Sequence, residues 1–577
     1  MGFFAPAGHG GGRGAQYVGR WTWLLCLGIF CCMLLGFNYG YDLGVTGGVT
    51  GMKTFRAYFF PDIDGGVNTM WCHFSDPYLQ LVTSTAYIAS VPASLMAFWL
   101  VGWRGRVLVL FLGGCAYVFA AGLQAGSQSL AMLYAGRAVV GIGMAFGNQA
   151  GPVYMSEVAL PRIRGSLISF YQFAVVIGIL VAQLVNYGTG KVHGQAGWRI
   201  SLGVFGGPAL LAVLCSPFLL DSPDSLVSRG KLEDARRALQ RIRGSPDVDL
   251  EFEDIQKDPL CSQEHKRAML ARHPSSRQKF ELSQVWATLK WAWGYRVHLA
   301  ICFMLGAFRA LTGNPLLLFY APELFQTLGT SQNYSLLSAV TQGCVKVVGT
   351  VAAILLVDRV GRKKLQLLGG AGQLLMQVAA ALITGVWFDG SGIDDSDAWA
   401  LTVVLCVFEF FFEISIATLS WVIATEICPL EIRSIGAGFL VMGDLMLQVF
   451  FTQMTLTLMC ALRYGVFLFS AGFCLLFILF SLFLVPETKG VSSDEIQDLL
   501  RSHWLWKRHM AQPLAGEAEA KLGPADGMDN GSGSMGSSGG AEPEAPASPG
   551  KGQSLHASPT VCTAGAPTAP QDGALPA

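Results

Sequence analysis

The sequence is poor in charge. Asp, Glu, Lys and Arg make up 14% of its 577 residues, whereas a soluble chain carries about 25%. The 39 basic residues balance the 39 acidic ones, so no excess positive charge favours a nucleic-acid partner. The sequence also lacks a phosphate-binding loop, a metal-ligand cluster and a nucleophile–base constellation. His9, His73 and His193 lie scattered outside the apolar runs. We therefore expect no enzyme activity, no metal site and no cofactor.

Long apolar runs take the place of the missing charge. Hydrophobic residues make up 52% of the chain, and runs near 20 residues, enough to cross a bilayer as a helix, recur. A Gly-rich segment precedes the first run, which predicts a spanning helix and not a cleaved signal peptide. The sequence thus predicts an all-α, multi-pass protein of the lipid bilayer. Its twelve predicted spans are 22–42, 80–103, 107–125, 129–151, 166–187, 199–220, 296–320, 334–357, 365–387, 398–424, 435–460 and 463–485.

The orientation follows from the short loops that carry positive charge. Arg and Lys cluster in loops after even-numbered spans, and such loops stay on the cytoplasmic side. Both termini are therefore predicted to be cytoplasmic. The clustered residues are Arg104, Arg106, Arg162, Arg164, Arg359, Arg362, Lys363 and Lys364.

The spans divide the chain into two halves and three connecting or terminal segments. Loop 43–79 is long enough for a small helical cap on the outer side, and the charges of KLEDARRALQRIRG in the inner loop indicate a solvated helix face. From about residue 505 the tail is rich in Gly, Ala, Pro and Ser, which predicts disorder. The predicted segments are an N-terminal lead (1–20), a first six-helix half (21–220), an inner loop (221–295), a second half (296–490) and a cytoplasmic tail (491–577).

The two halves repeat a pattern of charges. A Gly-Arg pair follows spans two and eight, and after spans four and ten a Glu precedes an Arg by seven residues. Such matched positions indicate duplicated halves. We expect these charges to form salt bridges that join the halves at the inner face and break on opening. The alternative is that they only set topology. The residues are Arg106, Glu157, Arg164, Arg362, Glu426 and Arg433.

Span four contains a cation. Arg137 lies about two turns inside the apolar run, where an unpaired charge costs several kcal/mol. Asp42 lies toward the outer end of span one, at a similar depth, and pairing is the physical expectation. Protonation of Asp42 would release Arg137, which makes a two-state element; the alternative is a permanent ion pair. Gly141, Gly143 and Gly147 follow in the same span and favour close helix approach.

Most of the fourteen cysteines lie inside spans as small core residues. Cys72 and Cys460 differ because both are predicted on the outer, oxidising side. They either form a disulfide or remain free thiols.

Nine motifs taken together resemble the sugar porter family of the Major Facilitator Superfamily, and more narrowly the plant and green-algal monosaccharide–proton symporters. The resemblance implies two pseudo-symmetric six-helix halves, alternating access, a hexose and protons as partners, and function as a monomer at the plasma membrane. It assigns Asp42 and Arg137 to proton coupling, and Cys72 and Cys460 to a disulfide between an outer lid and the second half. The motifs are GYDLGVTGGV (40–49), GRAVVGIG (136–143), SEVALPRIRG (156–165), GWRISLG (197–203), DSPDSL (221–226), LTG with FYAPELF (311–325), VDRVGRKK (357–364), TEICPLEIR (425–433) and PETKG (486–490).

The resemblance also places the sugar site, which needs hydrogen-bonding groups beside an apolar wall. Gln172 matches the family's sugar-binding amide, and Leu43 and Ile179 match its apolar contacts. Tyr39 stands where Phe is usual. Trp421 matches the tryptophan that packs on the sugar.

The second half departs from the family pattern. Arg309 stands at the start of the span-seven motif, Asn314 lies one position before the usual Asn, and Lys346 and Asp444 replace two further Asn residues. Span ten adds two carboxylates at the same depth. We expect the charged residues to form one paired network that lines or plugs the central cavity. They are Arg309, Lys346, Glu409, Glu413 and Asp444.

Three functions remain open on this sequence. Hexose transport persists if the charged side chains replace the lost amides as hydrogen-bonding groups. The substrate is instead a charged, zwitterionic or other non-hexose solute if they bind charge. In the third case transport is lost and the protein senses sugar. A purely structural salt-bridge network is compatible with each.

Overall fold

A computed structural model describes residues 20–61, 63, 72, 74, 76–160, 164–256, 295–386, 395–428, 432–489 and 493–507. Over these ranges the regular structure is helical. The predicted disordered tail beyond 507, nearly all of the lead, and His9, His73 and Arg162 lie outside the described residues.

In the described residues, the first half and the inner loop contain ten helices with complete bounds, and residues 249–256 are also helical. The first six-helix half ends in a short 3₁₀ turn, Ser216–Phe218. The helices are α1 (Trp23–Thr50), α2 (Lys53–Phe59), α3 (Pro77–Arg104), α4 (Arg106–Ala125), α5 (Leu130–Val158), α6 (Arg164–Thr189), α7 (Ala196–Gly203), α8 (Gly206–Cys215), α9 (Pro223–Ser228) and α10 (Leu232–Arg243).

The second half repeats the arrangement with two broken spans. A π-helical segment, Glu413–Ala417, separates α15 from α16. The helices are α11 (Arg296–Leu311), α12 (Asn314–Thr327), α13 (Gln332–Val360), α14 (Arg362–Val386), α15 (Asp395–Phe412), α16 (Thr418–Ile427), α17 (Arg433–Leu462), α18 (Gly465–Phe483) and α19 (Ser493–Ser502).

Twelve membrane-spanning helices are present in the described part of the chain, and each matches a predicted span. Their ends differ from the prediction most at the first span, where α1 continues to Thr50 instead of ending at 42. Asp42 therefore lies eight residues inside the helix, not near its outer end. The run GVTGGVT carries the helix on because its small residues are buried against neighbouring helices.

Spans seven and ten are interrupted near mid-membrane. Span seven breaks at Gly313, whose φ of 93° suits glycine because it has no Cβ. Pro315 lies in the first turn of α12, where a missing N–H costs nothing. Span ten leaves helical geometry at Ser415, with φ −116° and ψ −105°. Irregular backbone at this depth is tolerated only where protein or a cavity satisfies its polar groups.

Glycines set the closest helix contacts in the first half. A Cβ at Gly40 on α1 would lie 1.8 Å from the Val175 carbonyl oxygen on α6, and one at Gly141 on α5 would lie 2.0 Å from that of Ala86 on α3. The predicted close approach at Gly141 is thus confirmed. At Gly147 the nearest atom, on Leu35, would be 3.6 Å away, which is ordinary van der Waals contact.

The halves meet mainly through three helix pairs, α3 with α17, α6 with α13, and α1 with α12, and also where α6 meets α16 and α5 meets α17. On the outer side, hydrogen bonds cross this boundary. Ser84 donates to Gln453 at 2.5 Å, and Gln80 donates to Thr457 at 3.1 Å. These bonds hold the outer ends of the halves together in this conformation.

The outer loop forms the predicted cap, with α2 as its helix. A disulfide joins Cys72 to Cys460 at the end of α17, with the two Cα atoms 4.5 Å apart. Arg56 on α2 donates to Gln326 on α12 at 3.1 Å. The cap is therefore fastened to the second half both covalently and by hydrogen bonding.

The inner loop packs against the inner end of the first half. Arg243 at the end of α10 is 1% exposed; it pairs with Glu251 at 2.7 Å and donates to the Val158 carbonyl at the end of α5, also at 2.7 Å. The interpretation of these charges as a solvated face is wrong for Arg243, because the C-terminal carbonyls of α5 need donors.

Candidate functional site

In the described residues of the first half, one charged pair lies inside the membrane. Arg137 Nη1 donates to Asp42 Oδ1 at 2.5 Å, and both side chains are 1% exposed. Arg137 Nε donates to the Val82 carbonyl oxygen at 2.9 Å. Asp42 Oδ2 and Arg137 Nη2 have no hydrogen-bond partner among the described residues. The predicted pair is therefore formed, and each of its members has a polar atom left to bond.

The inner end of the first half carries a compact polar motif. Arg106 Nη2 donates to Glu157 Oε1 at 2.7 Å, and its backbone N–H donates to Asp221 at 3.0 Å. The Ser222 hydroxyl donates to the other oxygen of Glu157. Arg229 pairs with Asp221. The partly exposed carboxylate of Glu157 thus receives both an arginine and a hydroxyl.

The second half repeats this motif. Arg362 Nη2 donates to Glu426 Oε1 at 2.7 Å, and its backbone N–H donates to Glu487 at 2.9 Å. The Thr488 hydroxyl donates to Glu426 at 2.5 Å. The correspondence supports the predicted duplication. The sequence analysis missed the acid–hydroxyl pairs Asp221-Ser222 and Glu487-Thr488, although each opens a motif directly after the last span of its half.

In the part of the chain that the structure describes, the inner charge contacts lie within one half each, whereas the prediction was of pairs between the halves. Arg106 pairs with Glu157 inside the first half, and Arg362 pairs with Glu426 inside the second. Arg433 Nε donates to the Thr425 carbonyl at 3.0 Å, again within one half. The reason is that each Arg begins a helix next to the inner end of the helix that carries its Glu. The side chain of Arg164 lies outside the description.

The residues matched to the sugar site lie where the halves face each other. On α1 and α6, side chains of the first half are 4–6% exposed: Tyr39, Leu43, Gln172 and Ile179. Trp421 on α16, which packs against α6, is 7% exposed. Both Arg309 and Asp444 of the second half lie within electrostatic range of Tyr39. The structure thus brings the predicted positions of both halves to one central region.

Arg309 closes the break in span ten. Its Nη1 donates to the carbonyl oxygen of Ala417, the last residue of the π segment, at 2.6 Å. Its Nε lies 3.5 Å from Asp444 Oδ2, and its guanidinium lies 5.7 Å from the centre of the Trp421 ring, within the range of a cation–π interaction. The guanidinium therefore links span seven to spans ten and eleven.

A second charged group surrounds Lys346 on α13. Lys346 Nζ donates to Glu409 and to Asn314 Oδ1, the latter at 3.0 Å, and lies 3.8 Å from Glu413 Oε1. The Lys346 and Glu413 side chains are 2% exposed and Glu409 is fully buried. No ion pair between this group and Arg309–Asp444 is found among the described residues. The predicted single network is therefore two groups on different helix faces.

Glu323 on α12 was missed by the sequence analysis. It is fully buried, and neither of its carboxylate oxygens makes a hydrogen bond with the described residues. The available signal was an acidic residue inside the otherwise apolar motif FYAPELF.

Comparison with known proteins identifies the family. The sequence pattern described as "Sugar (and other) transporter" matches residues 28–500. The chain belongs to this family. As a sugar porter it is a transporter and an integral, multi-pass membrane protein of Major Facilitator fold.

Plant proteins are similar over most of their length. Sugar transport protein 10 of Arabidopsis thaliana is 37% identical over 519 residues, which are 89% of this chain and 97% of the relative. Sugar transport protein MST3 of Oryza sativa subsp. japonica is 38% identical over 509 residues, 86% of this chain and 94% of the relative.

Solved structures support the fold. The proton:xylose symporter XylE bound to 6-bromo-6-deoxy-D-glucose matches with a TM-score of 0.65 and 23% identity, covering 84% of this chain and all of that one. A partially occluded inward-open conformation of XylE from E. coli matches with a TM-score of 0.63 and 22% identity, covering 82% of this chain and all of that one.

Proposed function

We propose that this sugar porter carries a neutral hexose together with protons by alternating access, and that Asp42 and Arg137 couple the proton. The single observation that carries the proposal is their buried pair on α1 and α5. Asp42 lies on α1, as do Tyr39 and Leu43, so a change in the pair alters the side of α1 that faces the proposed sugar site. Relatives named sugar transport proteins and a structural neighbour named a proton:xylose symporter support the same function.

The proposed coupling step is the uptake and release of one proton by the Asp42 carboxylate. When Asp42 takes up a proton, its charge is lost and the ion pair with Arg137 weakens. Arg137 keeps its bond to the Val82 carbonyl on α3, so α5 and α3 stay linked while α1 is released from α5. A two-state element of this kind shifts its population with proton binding.

The sugar is proposed to bind between the halves. The Gln172 amide and the Asn314 amide offer donors and acceptors for hydroxyl groups, and the Trp421 ring offers an apolar face. The charges of the second half favour a neutral substrate, because Arg309 is engaged by Asp444 and Lys346 by Glu409. A charged solute would have to displace one of these partners at several kcal/mol.

The site of action is proposed to be the plasma membrane, with both termini in the cytoplasm and one chain as the working unit. The loops rich in Arg and Lys support the orientation. The disulfide supports it as well, because disulfides persist on the oxidising side of a membrane.

Uptake of radiolabelled glucose tests the function, in a host without its own hexose carriers and at acid and neutral outside pH. We expect uptake that rises in acid and disappears with an uncoupler. The Asp42→Asn variant at equal surface amount is the matched control. Absence of uptake with the protein at the surface would contradict hexose transport and favour a different solute or a sensor.

A further inference from the structure

We propose that Glu413 is a second proton-carrying carboxyl, in the second half, and that Lys346 and Asn314 couple its proton to sugar. The coupling rests on the proposed function; the protonation of Glu413 does not. The ligand is a proton, and the site is the group formed by Lys346, Glu409, Glu413 and Thr350.

The charge balance of this group requires a proton. Lys346 is one cation, and it faces two carboxyl groups, Glu409 and Glu413, with all three side chains at most 2% exposed. A surplus charge inside a membrane protein costs several kcal/mol. One of the two carboxyl groups is therefore neutral.

The other elements packed around Glu413 supply no free cation to replace the proton. Arg309 on α11 is the other cation within electrostatic range, and it is already paired with Asp444. From α14 the neutral Gln373 faces the π segment and donates to Ser415 at 2.8 Å. Counting Arg309 and Asp444 with the group leaves the same surplus of one carboxyl.

Two contacts place the proton on Glu413. Lys346 Nζ is in hydrogen-bond contact with Glu409 but lies 3.8 Å from Glu413. The Thr350 hydroxyl lies 2.9 Å from the Lys346 carbonyl oxygen and 3.2 Å from Glu413 Oε2. A hydroxyl has one proton to donate, and the carbonyl can only accept it. Thr350 therefore donates its one proton to either the Lys346 carbonyl or Glu413, whereas Glu409 receives the Lys346 ammonium directly, so Glu413 is the less stabilised carboxylate and holds the proton.

The group also contains a buried atom without a partner in the part of the chain that the structure describes. Glu409 Oε1 has no hydrogen-bond partner among the described residues, although Glu409 is fully buried. It offers an acceptor one helical turn from Glu413. The two carboxyls therefore hold one proton between them, and their titration is coupled.

Asn314 connects this proton to the sugar. Its Oδ1 accepts from Lys346 Nζ at 3.0 Å, and Asn314 retains 7% exposure. A sugar hydroxyl that donates to Asn314 Oδ1 and accepts from Lys346 Nζ would draw the ammonium away from Glu413. With Lys346 farther away, the neutral form of Glu413 becomes more stable relative to the ionised form. Sugar and proton therefore bind cooperatively, as symport requires. When the sugar leaves and water enters the opened site, hydration stabilises the charged groups, and the proton passes from Glu413 to that water.

Infrared difference spectra of the purified full-length protein in lipid test the protonation without any transport. The Glu413→Gln variant should lose the C=O band of a carboxylic acid relative to the unchanged protein. Loss of an ionised carboxylate band instead would overturn the assignment. Thr350→Val should shift the acid band, since the hydroxyl in hydrogen-bond contact with Glu413 is removed; an unshifted band would contradict the geometry.

The ratio of charge to sugar tests the coupling. Sugar-evoked current and radiolabel uptake, measured together at clamped voltage, should give about two charges per sugar, one for Asp42 and one for Glu413. Glu413→Gln should halve this ratio, while Glu323→Gln, a buried carboxyl outside the group, should leave it unchanged. A ratio of about one in the unchanged protein would overturn the coupling and leave the proposed function standing. Absence of any sugar-evoked current would overturn both, while the infrared result would still decide where the proton resides.

Discussion

The two halves treat charge inside the membrane differently. The first half contains one cation and one carboxylate, Arg137 and Asp42, which balance each other. In the described residues, the second half contains two buried cations and four buried carboxyl groups: Arg309–Asp444, the group around Lys346, and Glu323 apart from both. The comparison teaches that the balanced Asp42–Arg137 pair changes only when Asp42 takes up a proton. The group around Lys346 has one carboxyl in excess and must already hold a proton in this conformation.

Removing the carboxylate of the first half should have the largest functional effect. Asp42→Asn keeps the shape but not the charge, so acid should stimulate uptake much less, and accumulation against a gradient should fall about tenfold or more. Uptake of radiolabelled glucose at two pH values measures this. Asp444→Asn, the same change in the second half, should keep acid stimulation. Full proton-driven accumulation by Asp42→Asn would show a permanent ion pair instead.

Removing the central cation of the second half should have the largest effect on stability. Lys346→Met leaves Glu409 and Glu413 without a cation, and we expect a loss of about 3–5 kcal/mol at neutral pH. The loss should shrink in acid, because a protonated carboxyl needs no cation. Thermal unfolding in detergent at several pH values measures it.

A double variant sharpens the same prediction. Lys346→Met with Glu409→Gln removes one charge of each sign and should be more stable than Lys346→Met alone. Equal stability of the two variants at neutral pH would mean that Glu409 is not the main partner of Lys346.

Breaking the disulfide should have an intermediate effect, because it ties the cap to the second half. Cys72→Ser should lower unfolding stability by about 2–4 kcal/mol, and Cys460→Ser should match it. The double variant should add nothing further. Cys26→Ser, which changes an exposed free cysteine, is the control and should leave thermal unfolding unchanged.

The repeated inner motif should show the smallest effects, and equal ones. Arg106→Gln and Arg362→Gln each remove a charged hydrogen bond to a Glu that is partly exposed, and we expect losses of about 1–2 kcal/mol. Arg237→Ala, in an exposed pair at 4.0 Å, should change stability by about 0.5 kcal/mol or less. A clear difference between the two Gln variants would contradict functional equivalence of the halves.

The ion pair of the first half was predictable, because an unpaired charge inside the membrane is costly and its partner must lie at a similar depth. Arg137 inside an apolar run needs a partner, and Asp42 stands at a similar depth in the same half. The pair could therefore be predicted from spacing. The disulfide could not, because the outer position of Cys72 and Cys460 left both a bond and free thiols open until the resemblance favoured the bond.

Other features depend on which helix faces meet. The division of the charges of the second half into two groups follows from Arg309 reaching Ala417 and Lys346 reaching Asn314. Depth alone placed all of them together. Ser222 and Thr488 bond to Glu157 and Glu426 only because the chain after the last span of each half returns beside its inner Glu.

The sequence by itself determined that the chain spans the membrane twelve times, that its halves are duplicated and which family it resembles. Hydropathy, charge spacing and motifs are local properties that can be read along the chain. Only the tertiary structure decided where α1 ends, where spans seven and ten break, and which carboxyl lies apart from its cation. The physical reason is that a hydrogen bond depends on a few ångströms and on one donor proton. The single proton of Thr350, shared between two oxygens on different helices, cannot be read from the spacing of residues.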